Sequence, residues 1–137
     1  PELFFFTPLI AAMAGNVGVQ SSAIIVQGLA NNTIIGPIVE RLLKELSLSL
    51  LNGVILSAIL LLGSYFLLGY EIHVGYTVSI ALLSVIIMAS LIGTFIPIIL
   101  NKYGVDPALA TGPFITTSND ILGILTYFTI AKIILGI

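Results

Sequence analysis

Gly104-Val105-Asp106-Pro107-Ala108-Leu109-Ala110-Thr111-Gly112-Pro113-Phe114-Ile115-Thr116-Thr117-Ser118-Asn119-Asp120-Ile121-Leu122-Gly123, residues 104–123, opens a long apolar segment and sets a carboxylate near its middle. If that segment spans a bilayer, an isolated acid at a helix centre costs about 2.5–3.5 kcal/mol on insertion scales. The usual offsets are a bound cation, a proton or a water-filled pathway. Thr116, Thr117, Ser118 and Asn119 place four more oxygen-bearing side chains just before it. Helical spacing puts Thr116, Asp120 and Tyr127 on one face, with Gly123 beside them and Gly112 one turn earlier on the same stripe. The pattern reads as a narrow polar strip turned from lipid, a candidate cation site. The plainer alternative is a protonated Asp120 hydrogen-bonded between helices.

The whole chain supports a membrane setting. Its 137 residues are 58% hydrophobic and 7% charged, whereas soluble domains carry about a quarter charged residues; mean hydropathy is +1.23. There is no cysteine, which excludes disulfides and thiolate metal sites. A net charge of −2 gives no argument for nucleic acid or an acidic partner. No signal peptide is visible, and a start at Pro1 is expected of a fragment or of a chain whose upstream residues are not included.

Four spans are predicted, over residues 3–29, 47–69, 76–100 and 107–132, each long enough for a hydrocarbon core of about 30 Å. The first carries Asn16 and Gln20 four residues apart, beside Gly15 and Gly18, with Ala14, Gly18 and Ser22 as a row of small residues. Such a row admits a close helix crossing, and the glycines also allow a broken span whose carbonyls line a cavity. Asn16 and Gln20 are candidates either for lining a pathway or for hydrogen-bonding across a crossing. Residues 37–46 are predicted as a short amphipathic surface helix opened by Pro37, with Glu40–Lys44 and Arg41–Glu45 pairs as a solvated face. His73 falls in the turn 70–75 and is expected at the interface. Pro97 is expected to kink or end the third span, Asp106-Pro107 to start the fourth, and Pro113 to bend it.

Arg41, Lys44 and Lys102 all fall after spans one and three, so connections 30–46 and 101–106 are predicted cytoplasmic and both termini of the chain outside. Asp120 is read as the one ionisable residue inside the spans. Oxygen donors favour hard cations. One carboxylate cannot cage a dehydrated Ca²⁺, but it can hold a Mg²⁺ that keeps its waters, above all if a dimer brings two copies together. No nucleophile–base pair or convergent carboxylate pair is present, so an enzyme is not expected.

Three spaced motifs carry a resemblance over nearly the whole chain. They are Pro8 with Gly15-Asn16-Val17-Gly18-Val19-Gln20-Ser21, then Gly104-Val105-Asp106-Pro107-Ala108-Leu109, then Pro113-Phe114-Ile115-Thr116-Thr117 leading to Asp120 and Tyr127. In these the chain resembles the membrane domain of the MgtE magnesium channel/transporter family, related to solute carrier 41. The resemblance implies an all-α polytopic bundle of residues 1–137 with four spans here against the family's five, a homodimer in the cell membrane with a pore on its axis, and Mg²⁺ as the transported ion; Mn²⁺ and Co²⁺ stay open as alternative or additional ions. It implies that Asp120 holds hydrated Mg²⁺ and that Thr116 contributes a carbonyl. Gly112 falls where family members can carry an Asn near the gate. Asn16, Gln20 and Asn119 are expected to line the pore. By the resemblance, an upstream first span and cytoplasmic regulatory domains are expected outside these 137 residues. The alternatives are a secondary transporter coupled to protons or Na⁺, and a non-conducting assembly subunit.

Overall fold

The computed structural model describes residues 2–31, 38–110 and 112–136. Among them the elements are α1 (Glu2–Phe5), α2 (Thr7–Ala30), α3 (Ile38–Phe66), α4 (Ile72–Lys102), a 3-10 turn (Pro107–Ala110) and α5 (Pro113–Leu135). Helices α2 to α5 are long and apolar enough to cross a membrane. The fold is the all-helical one that the apolar runs predict, with no strand among the described residues.

Helix α4 is the centre of the bundle and packs against α2, α3 and α5, while α2 also packs along α5. Val78, Ala81, Leu82, Val85, Ile86 and Ala89 of α4 form the core with Phe6, Ile10 and Ala14 from the N-terminal part and Tyr127 from α5. Helix α3 rests on α4 alone among the described elements. Its other faces expose Leu48, Leu51, Val54, Ile55, Ile59 and Leu62, as a lipid-facing helix does.

Several helix boundaries differ from expectation, each for a local reason. The first segment divides at Phe6, because Pro8 in the first turn of α2 has no N–H to continue the preceding turn. From there α2 runs unbroken through Gly15 and Gly18, so the small-residue row serves packing and not a helix break: Ala14, Gly18 and Ser22 are all buried.

Residues 38–46 are not a separate surface helix. They continue straight into the span as the first turns of α3, since neither Gly nor Pro interrupts the chain before Gly53. The expected helix start at Pro37, and residues 32–36 of the connection, lie outside the described residues.

Helix α4 begins at Ile72, ahead of the expected turn's end, and Gly75 in its first turns lets it close on α3, where a Cβ would stand 2.9 Å from Ser64 Oγ. His73 is exposed there, as expected. Pro97 lies inside α4, which continues to Lys102. Asp106 starts not a span but the 3-10 turn, its Oδ1 accepting the Ala108 N–H at 3.0 Å. The fourth span begins at Pro113, which opens α5 where it was expected to bend it; Gly112, at φ +64°, turns the chain just before.

Candidate functional site

The crossing of α2 and α5 is built on glycine. A Cβ on Gly15 would lie 2.8 Å from Asp120 Oδ1 and 3.4 Å from Thr116 Cγ2. A Cβ on Gly18 would overlap the Asn119 amide. On the other side of the crossing Gly123 of α5 meets Ala14, with a Cβ distance of 2.8 Å. With no side chain at these positions, the two helices approach until the α2 backbone lies over the polar turn of α5. Asp120 and Thr116 are thus brought together against Gly15, both half-buried. Asp120 sits seven residues into α5, about 10 Å from its start along the axis. That is nearer one end than the middle that a span over 107–132 would give.

Asn119 occupies the neighbouring position and is fully buried, yet neither its Nδ2 nor its Oδ1 has a hydrogen-bond partner. A buried amide left unpaired costs about 1–3 kcal/mol. Asn16 and Gln20 point away from this crossing. They lie on the exposed face of α2 with Ala12, Ala23, Ile24 and Gln27, a face richer in amides and small residues than the leucine-rich outer face of α3. Gln20 also borders a cleft toward α3.

Two residues of the expected polar strip leave it. Gly112 precedes α5 in a non-helical conformation and so does not continue the Thr116–Asp120 stripe. Tyr127 is buried, and its hydroxyl donates to the Leu3 carbonyl at 2.7 Å, which ties α5 to α1.

Sequence reasoning missed Glu45. Expected on a solvated face, it is 7% exposed and lies against α4, where Ser90 Oγ donates to its Oε2 at 3.4 Å. Asp120 is therefore not the only acidic side chain within the spanning helices. The Arg41–Glu45 pair does form, at 3.4 Å. Only the contact with α4 distinguishes it from an exposed pair, and spacing within one helix carries no trace of such a contact. Gln27 was missed too, although its position four and seven residues after Ala23 and Gln20 was there to be read.

Chemically, the α2–α5 site offers one carboxylate, hydroxyl groups and backbone. No group of three or more His, Cys, Asp or Glu residues converges among the described residues. A dehydrated divalent ion would be under-coordinated by this set, whereas an ion that keeps its waters needs one or two carboxylates and acceptors for its shell.

Residues 7–130 match the MgtE family, described as divalent cation transporters. The chain belongs to the MgtE family. It is similar to proteins named magnesium transporter MgtE: 40% identical over 130 residues to that of Bacillus subtilis, 34% over 136 residues to that of Thermus thermophilus, and 36% over 133 residues to that of Enterococcus faecalis. These matches cover 94%, 97% and 95% of the chain and 29% of each relative. The chain thus spans less than a third of the length of these relatives. MgtE proteins are transporters and not enzymes, and family and helices together make this a multi-pass membrane chain.

Proposed function

We propose that this MgtE chain forms the membrane pathway of a Mg²⁺ transporter, and that two copies meet to enclose a pore in which Asp120 of each attracts the hydrated ion. The observation that carries this reading is the contact of Gly15 with Asp120 and Thr116: a carboxylate is held inside a spanning segment against bare backbone. The names of the relatives supply the ion.

In this reading the Asp120 carboxylate attracts the ion and accepts hydrogen bonds from its waters. Thr116 and nearby carbonyls accept further ones, so the ion passes without shedding its shell, the step Mg²⁺ resists most. Asn119, expected to line the pore, is instead packed behind the Asp120 turn against Gly18. The exposed amide stripe of α2, Asn16 and Gln20 included, faces the second copy across the pore, away from the α2–α5 crossing. Gly112 gives the hinge at the entrance. The ends that carry Arg41, Lys44 and Lys102 face the cytoplasm. Inward movement then gains about 4.6 kcal/mol for two charges per 100 mV.

The test is Mg²⁺ flux through the full-length protein in proteoliposomes at a clamped potential, with no proton or Na⁺ gradient. Flux that follows voltage alone supports a conducting pore. Flux that requires a counter-ion gradient replaces it with a coupled carrier, and a sealed membrane rejects transport by this protein.

A further inference from the structure

Helices α2 and α3 do not pack on each other among the described residues; both lean on α4 and leave a cleft of about 270 Å³ between them. Its lining is polar for a spanning region: Gln20 and Ser21 from α2, Glu45, Ser49 and Asn52 from α3, and Ser90 from α4. Glu45, Ser21, Ser49 and Ser90 are buried. Every one of these side chains offers oxygen, and Glu45 alone carries charge.

The spacing of the oxygens is informative. Ser21 Oγ to Ser90 Oγ is 3.4 Å, and Ser90 Oγ to Glu45 Oε2 is again 3.4 Å. Good O–H···O bonds run at about 2.5–3.0 Å, so both contacts are loose. Adjacent ligands around an octahedral ion are separated by √2 times the metal–oxygen distance: roughly 3.0 Å for Mg²⁺ bound at about 2.1 Å, and roughly 3.4 Å for an ion bound at about 2.4 Å. Both edges, Ser21–Ser90 and Ser90–Glu45, therefore suit a hard cation larger than Mg²⁺. Charge selects further. Arg41 holds the other carboxylate oxygen, Oε1, at 3.4 Å, which leaves too little negative charge for a dehydrated divalent ion that takes six to eight oxygens.

We infer that the α2–α3–α4 cleft is a binding site for a singly charged hard cation of the size of Na⁺, held by Glu45 Oε2, Ser90 Oγ and Ser21 Oγ, with the Gln20 and Asn52 amides at its mouth. It is separate from the Asp120 site: Ser21 lies six residues, about 9 Å, along α2 from Gly15. Because Gly18, between them, meets Asn119 on one side and has its carbonyl against Gly93 on the other, an ion that clamps Ser21 to α4 also fixes the part of α2 that faces α5.

Equilibrium binding of ²²Na⁺ to the full-length protein in detergent, with Mg²⁺ chelated and choline balancing ionic strength, tests this. The expected result is saturable binding at one site per chain, weakened at least tenfold by Glu45→Gln and by Ser90→Ala, and retained by Asp120→Asn. Ser90→Ala removes a ligand without touching the Arg41–Glu45 pair, so it decides the question if Glu45→Gln does not fold. Absence of saturable ²²Na⁺ binding to the wild type overturns the proposal. So does binding that Asp120→Asn abolishes and Ser90→Ala leaves intact. Because no flux is measured, failure here leaves the proposed Mg²⁺ pathway standing, and failure of that pathway leaves this site standing.

Discussion

Gly15 of α2 and Asp120 of α5 face each other so closely that a methyl group on Gly15 would stand 2.8 Å from Asp120 Oδ1. The carboxylate is thereby set against backbone on one side while remaining half-exposed on the other. The glycine thus acts on where the charge sits, the charge that a cation would meet in the proposed pathway.

Gly15→Ala follows directly. The clash is with the far end of a side chain that can rotate, so the bundle survives and the carboxylate shifts. Loss of about 1–1.4 kcal/mol from the site lowers Mg²⁺ uptake by the full-length protein about five- to tenfold, while the thermal midpoint stays within a few degrees. Unchanged uptake would show that the Asp120 position is unimportant.

Gly93→Ala and Gly63→Ala separate packing from propensity. A Cβ on Gly93 meets the Gly18 carbonyl oxygen at 2.6 Å, and backbone cannot swing aside as a side chain does. Overpacking of this kind costs about 1–3 kcal/mol. Gly63 has nothing within 4 Å of its would-be Cβ, and alanine there is neutral or gains up to about 1 kcal/mol of helix preference. Thermal unfolding of the two variants in the same detergent should move in opposite directions or leave Gly63→Ala unmoved.

Tyr127→Phe removes the 2.7 Å hydrogen bond to the Leu3 carbonyl. The expected loss is about 0.5–1.5 kcal/mol of stability, with Mg²⁺ uptake unchanged because the hydroxyl points to α1 and not to Asp120. A fall in uptake without a fall in stability would return Tyr127 to the ion path.

Much of this arrangement is written in the sequence, and what is not has identifiable causes. Apolar length gives four spans, since a bilayer demands about 20 residues whatever the tertiary packing. The rows Ala14–Gly18–Ser22 and Gly15–Asp120 illustrate the boundary. Small residues announce a close approach, but only the fold says that Gly15 lies over Asp120 and Gly18 over Asn119. Pro113 shows a second kind of limit. A proline suits both a bend and a first turn, and the positive φ of Gly112 decides for the latter. Glu45 shows a third. Its i,i+4 partner Arg41 is the mark of an exposed helix face, whereas its contact with α4 comes from Ser90, forty-five residues away.

Gly112 itself gives a further expectation. At φ +64° and ψ −134° any side chain is strained by about 1–3 kcal/mol, although nothing lies within 4 Å of its would-be Cβ. Gly112→Ala should lower the thermal midpoint through backbone strain alone. A midpoint equal to that of the wild type would mean that the turn at Gly112 relaxes freely.

Whether the Asp120 carboxylate attracts the ion is decided by voltage-driven Mg²⁺ uptake by full-length wild type and Asp120→Asn in parallel proteoliposomes. Asparagine keeps the size and removes the charge. With the circular dichroism spectrum and oligomeric state of the variant matching the wild type, its uptake is expected to collapse by at least tenfold. Equal uptake by the two proteins would contradict it and move the ion path away from the α2–α5 crossing.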